Sequence, residues 1–140
     1  MSPARAPDPS AARRRANDAT ARKTLDPGTR ERLLASAVQL LSQRGLEGTG
    51  LAALIEASGT TKGSLFHFFP EGKAQWVAEA LSLYSAHLRA GLDARFAKAA
   101  TPGAALAAFI EDAAKRQEQQ GFAGGCPIGA VALDVAPDDP

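Results

Sequence analysis

Side chains able to do covalent or ligand chemistry are sparse in this sequence of 140 residues. Two histidines, His67 and His87, stand far apart, and no Cys, Asp or Glu set completes a metal site around either. Neither a metal nor a cofactor is therefore expected. No Ser-His-Asp arrangement has supporting context, no glycine loop has the spacing that cradles a phosphate, and no strand exists to carry either. The chain does not read as an enzyme. The single cysteine, Cys126, lies between Gly124-Gly125 and Pro127. A thiolate stabilised near a helix N-terminus would make it a redox or electrophile sensor, although free cysteines of this kind more often pack as small inert apolar residues. One cysteine also excludes an internal disulfide framework.

The chemistry that remains is recognition. The run Thr60-Thr61-Lys62-Gly63-Ser64-Leu65-Phe66-His67-Phe68-Phe69 begins with a small, polar turn that allows close backbone approach to a partner. Lys62 supplies a long cationic donor. Leu65 and Phe69, four residues apart, share one helical face and anchor it to a core. His67, two residues after Leu65, points to the opposite side. A short helix of this kind, entered through the Ser58-Gly59 turn from another helix, has the layout of a helix-turn-helix whose last helix enters the DNA major groove.

The charge distribution agrees with that layout. The net charge of +1 carries no global signal for nucleic acid. Residues 1–76, however, hold 11 Lys/Arg against 7 Asp/Glu, and residues 77–140 hold 5 against 8. A basic first half and an acidic second half suggest divided roles. No run approaches the ~18 apolar residues of a membrane span, and the Arg-rich start has no apolar segment behind it. A cytoplasmic protein with no membrane partner is the expectation.

The frame that must position these residues is all-α. Residues 1–26 are rich in Ala, Arg and Pro with almost no large apolar side chain, which predicts a disordered tail; its Arg13-Arg14-Arg15 cluster is suited to DNA phosphates or to plain solvation. From Thr29, a predicted N-cap, Leu33, Leu34, Ala37, Val38 and Leu41 recur at helical spacing until Gly45. A second helix opens at Thr49 or Gly50 with Leu51, Leu54 and Ile55 on its apolar face. The third runs from Thr61 to about Phe69 and is stopped by Pro70-Glu71-Gly72. A fourth follows from about Lys73 to Lys98, burying Trp76, Val77, Ala80, Leu81, Tyr84 and Leu88. Thr101-Pro102 starts a fifth, with Leu106, Phe109, Ile110 and Ala113 inward, and residues 126–134 open a sixth.

The order of these segments resembles the DNA-binding domain of the TetR/AcrR family. The resemblance rests on Thr29-Arg30-Glu31-Arg32-Leu33-Leu34, Gly45-Leu46-Glu47-Gly48-Thr49, the run Leu54–Phe69, and Lys73. It covers about residues 28–87. Phe69-Pro70-Glu71-Gly72-Lys73 and Gly125-Cys126-Pro127-Ile128 are similar to the branch of LmrA- and YxaF-like regulators. The resemblance implies a helix-turn-helix DNA-binding domain over 27–87, with its motif at 50–69, joined by the fourth helix to a partial C-terminal regulatory domain over 88–140. It also implies a bacterial, nucleoid-associated repressor that binds double-stranded operator DNA as a homodimer and leaves it when a small-molecule effector binds.

By position, the resemblance assigns Thr49 and Gly50 to phosphate contact at the start of the second helix. It assigns Thr60, Thr61, Lys62, Gly63 and Ser64 to the recognition turn, Phe66, His67 and Phe68 to its second turn, and Lys73 to the DNA backbone. Trp76, Tyr84, Phe109 and Cys126 are the candidates for an effector pocket, although the apolar stripes they occupy fit core packing better. Two positions depart from the family. Gly50 stands where a hydroxyl residue is usual and Phe66 where a Tyr is usual, and each removes about 1 kcal/mol of phosphate positioning. Regulators of this kind also continue for several more helices, the last two of which normally form the dimer interface, and 140 residues fall short of them. The rival expectation is therefore a helical ligand- or protein-interaction module without autonomous operator binding.

Overall fold

The computed structural model describes residues 27–136, and the Arg13–Arg15 cluster and the rest of the N-terminal tail lie outside them. The described residues form six helices and no strand: α1 Pro27–Arg44, α2 Leu51–Ser58, α3 Lys62–Phe68, α4 Lys73–Lys98, α5 Pro102–Gln119 and α6 Pro127–Val135. The all-α expectation holds over this range.

Helix α1 is the axis of the core because its apolar stripe is wide enough to serve several neighbours. Leu33, Leu34, Ala37, Leu40 and Leu41 are buried, and α2, α3, α4 and α6 all pack against it. Leu54 comes from α2, Leu65 from α3, Phe69 from the turn beyond it, Trp76, Val77 and Ala80 from α4, and Val131 from α6. Each fully buried Leu, Phe or Val contributes about 1.5–3 kcal/mol. The sixth helix thus shares one core with the helix-turn-helix, although more than fifty residues of sequence separate them.

The connections carry the signals their residues suggest. Gly45 takes φ 68° and its N–H donates to Leu41 O at 3.0 Å. Thr101 caps α5 by accepting from Ala104 N, with Pro102 in the first turn. At the head of α1 the boundary differs from expectation. The helix starts at Pro27, whose fixed φ suits a first turn, and Thr29 lies within that turn, buried, accepting from Arg32 Nη2 at 2.9 Å.

Helix α5 keeps part of the predicted orientation: Phe109 and Ala113 are half-buried as expected, whereas Leu106 and Ile110 are not. Its main neighbour is α4, and Ala105 is its buried residue. One neighbour covers one face, and that face holds Ala105, half-buried Phe109 and Asp112, which pairs with Arg95 of α4. Leu106 and Ile110 project from the other side and are half or more exposed. Periodicity identified the stripe but not which flank of it α4 would take.

Candidate nucleic-acid interface

The turn between α2 and α3 is built from hydroxyls around one left-handed glycine. Gly59 has φ 63°, its N–H donates to Glu56 O, and Thr60 N–H donates to Ile55 O, the paired bonds that end a helix at an αL residue. Ser58 Oγ donates to Leu54 O at 2.6 Å. Its only proton is thereby committed, so Thr60 Oγ1, 2.8 Å away, donates to Ser58 Oγ. Thr61 then caps α3 by accepting from Ser64 N at 3.2 Å, and the two hydroxyls lie 2.9 Å apart. The angle between α2 and α3 is fixed by buried side-chain bonds rather than by the glycine alone.

Helix α3 divides cleanly into two sides. Ser64 and Leu65 are buried, Phe69 just beyond is fully buried, and Phe68 is half-buried against the core. Lys62, Gly63, Phe66 and His67 form one exposed arc. Lys62 Nζ lies 5.9 Å from the Phe66 ring centroid, a cation–π contact along the helix. The His67 ring meets Phe68 edge-on at 5.0 Å, which orients the imidazole. This places a cation, a bare backbone, an aromatic ring and a hydrogen-bonding imidazole on one surface about two turns long.

Gly63 has no folding reason to be glycine. A Cβ there would meet nothing nearer than Thr61 Oγ1 at 3.8 Å, ordinary contact. Gly50, the N-cap of α2, is open too, with φ −97° and nothing within 4 Å of a built Cβ. Both leave backbone exposed where an external partner can come close.

Other predicted contact residues face inward. Thr49 is wholly buried and its hydroxyl donates to Gly45 O at 2.7 Å. Thr60 and Ser64 are buried in the turn network, and Thr61 is exposed but engaged as the cap. These hydroxyls hold the turn; the arc of α3 is left as the solvent-facing surface. Lys73 is exposed, and its ammonium donates to Leu46 O at 2.7 Å.

Sequence reading missed the residues that tie α6 to this unit. Asp134 Oδ2 accepts from Leu46 N–H at 2.6 Å and from Glu47 N–H at 3.4 Å. Gly45 sits so close beneath it that a Cβ would come within 2.6 Å of the carboxylate. One turn back along α1, Ser42 Oγ donates to Gly125 O at 2.6 Å, and Gly125 N–H returns a bond to Ser42 O at 2.9 Å. The available signal was Asp134 itself, an acid in the last turn of a helix where the dipole disfavours negative charge unless a specific donor holds it.

The four effector-pocket candidates do not converge. Trp76 is packed in the α1 core. Phe109 lies under the Arg95 guanidinium, 5.8 Å from it. Tyr84 and Cys126 do meet: burial raises the Tyr84 pKa first, and the neighbouring Cys126 thiol raises it further through charge and a hydrogen bond. Cys126 is exposed, not the buried packing residue expected. A groove of about 460 Å3 between α4 and α5 is lined instead by Gly91, Ala94, Arg95, Lys98, Ala104 and Ala108, among others. Arg95 also holds Asp112 at 2.5 Å, which keeps that carboxyl below the usual range.

Comparison with known proteins fits this geometry. Residues 33–80 match the family described as bacterial regulatory proteins, tetR family. YxaF and LmrA of Bacillus subtilis, both HTH-type transcriptional regulators, are 31% and 30% identical over 77% of this chain. The chain spans little more than half of their lengths, 56% and 57%. The crystal structure of a regulatory protein TetR from Rhodobacter sphaeroides superposes with a TM-score of 0.71 at 26% identity, covering 78% of this chain and 59% of that one. These relatives are regulators rather than enzymes. In its helix-turn-helix and the helical frame around it, the chain is similar to regulators of the TetR family.

Proposed function

We propose that this chain is the DNA-reading part of a transcriptional repressor that a small-molecule effector releases from its operator. The observation that carries the proposal is the exposed arc of α3, Lys62, Gly63, Phe66 and His67, backed by the buried anchors Leu65 and Phe69. Seating that arc in a major groove brings Lys62 to a phosphate or base edge and the Gly63 backbone close to the duplex. Gly50 at the head of α2 approaches the flanking phosphates. A homodimer presents two such helices about 34 Å apart, matching successive turns of one DNA face.

Release works through α6. Asp134 of α6 binds the Leu46 N–H at the start of the turn into α2, and Gly125, just before α6, exchanges two bonds with Ser42 near the end of α1. An effector that moves α6 pulls on the platform from which α2 and α3 project. The test is fluorescence anisotropy of the purified chain with duplexes recovered from a random-sequence pool. Binding with a log–log salt slope of about −4 or steeper is expected, since each neutralised phosphate contributes about −0.9.

One observation favours a second reading, a helical interaction module. Leu106, Ile110, Phe122 and Leu133 are 50–78% exposed on α5, the following loop and α6. Flat salt dependence with no recovered sequence preference would favour that module over operator binding.

A further inference from the structure

Within the DNA-reading surface, we infer that Phe66 recognises the C5-methyl of a thymine and makes the chain demand an A·T pair at one fixed position of each half-site. The inference rests on the proposed seating of α3 in the major groove and names the base feature read there. Phe66 is 41% exposed and lies near the middle of the exposed arc, between Lys62 on one side and Gly63 and His67 on the other. It is absent from the core that takes Leu65, Phe68 and Phe69. Folding therefore gives no account of a large apolar ring at this point.

The ring has no polar atom with which to bond a phosphate or a base edge. In the major groove the one apolar feature a base pair presents is the thymine methyl, and phenylalanine is among the side chains that contact it. Two neighbours prepare the contact. The Lys62 ammonium, 5.9 Å from the ring centroid, restrains the ring along the helix and supplies a cation toward phosphate. Gly63, without a side chain, removes the obstacle to close approach on the adjoining side.

A protein-docking role fits less well. Among the described residues, every other large apolar side chain that is exposed lies at residue 96 or beyond, on α4, α5, α6 or the loop between the last two. Phe66 stands alone among polar and cationic neighbours, too small an apolar patch for a protein interface.

The test uses a duplex selected by the wild-type chain from a random pool, with each thymine replaced in turn by deoxyuridine. That change removes the methyl and leaves every hydrogen-bonding group in place. The expected result is a three- to tenfold loss of affinity at one position per half-site for the wild type. Phe66→Ala should keep its helical circular dichroism and the salt slope of the wild type, yet show no penalty for deoxyuridine there. Salt-steep binding by the wild type with no thymine sensitive to the exchange would overturn the methyl contact while leaving DNA reading intact. Equal deoxyuridine penalties in wild type and Phe66→Ala would overturn it too. Failure to select or bind any duplex would overturn both.

Discussion

The Asp134 carboxylate lies 2.6 Å from the Leu46 amide nitrogen, eighty-eight residues away in sequence, while Lys73 Nζ lies 2.7 Å from the carbonyl oxygen of the same residue. Leu46 is thus held at both polar ends by charged side chains, one from α6 and one from the first residue of α4. Charge-assisted bonds of this kind are shorter and stronger than neutral ones. They meet at the segment that sets where α2 begins. Whatever displaces α6 must either break the carboxylate bond or carry the α1–α2 connection with it.

Asp134→Ala is therefore expected to lower stability by about 1.5 kcal/mol, the lower end of the range for a bond to a charged acceptor that is partly open to water. Asp134→Asn, which keeps an acceptor without the charge, should lose less. Urea unfolding followed by circular dichroism measures both. Equal midpoints for wild type and Asp134→Ala would mean that the contact contributes nothing to holding α6 on α1.

Gly63→Ala separates folding from recognition. The added methyl meets only ordinary contact in the protein, and alanine is the better helix residue, so stability should rise by about 0.5 kcal/mol. Affinity for the selected duplex should fall about fivefold, near 1 kcal/mol, because the same methyl occupies the gap between α3 and DNA. A variant that is more stable and binds equally well would show that the backbone at Gly63 does not approach the duplex.

Local signals made most of the helical frame legible. The stops at Gly45, Gly59 and Pro70-Glu71-Gly72, and the Thr61 and Thr101 caps, all lie where residue chemistry places them. Each depends on backbone geometry within a turn or two of the residue. The partition of α3 into Leu65 and Phe69 inside and His67 outside was also readable, since helical spacing alone determines it. What could not be read depends on distant partners. The docking of Ser42 answers to Gly125, eighty-three residues away, and the exposure of Leu106 reflects the packing of α5 mainly on α4. Asp134 illustrates the limit: its position in a helix flags an oddity, but only the fold supplies Leu46 as the donor.

Lys62→Ala is expected to weaken duplex binding at least tenfold, about 1.4 kcal/mol or more. The salt slope should become shallower by about 1 if the ammonium rests on a phosphate, and specificity should relax at one base pair if it reads a base edge. Lys62 is exposed on α3, so thermal stability should hardly change. Unchanged anisotropy titrations at fixed salt would count against the docking of α3 altogether.

Tyr84 is the only tyrosine of the chain, so its ionisation can be followed alone by ultraviolet absorbance. Burial and then Cys126 push its pKa above the ordinary value of 10.0. The native midpoint should accordingly lie higher than the midpoint in concentrated guanidinium. The sign of the linkage follows from that order. The folded state holds the phenolic proton more tightly, so its contribution to stability is complete below the unfolded pKa and is lost as pH rises through the folded one. Cys126→Ala removes the thiol's charge and hydrogen bond but leaves most of the burial, so the midpoint should move part of the way back toward 10.0. A midpoint that stays where it was would place Cys126 out of contact with Tyr84, and the α6 N-terminus with it.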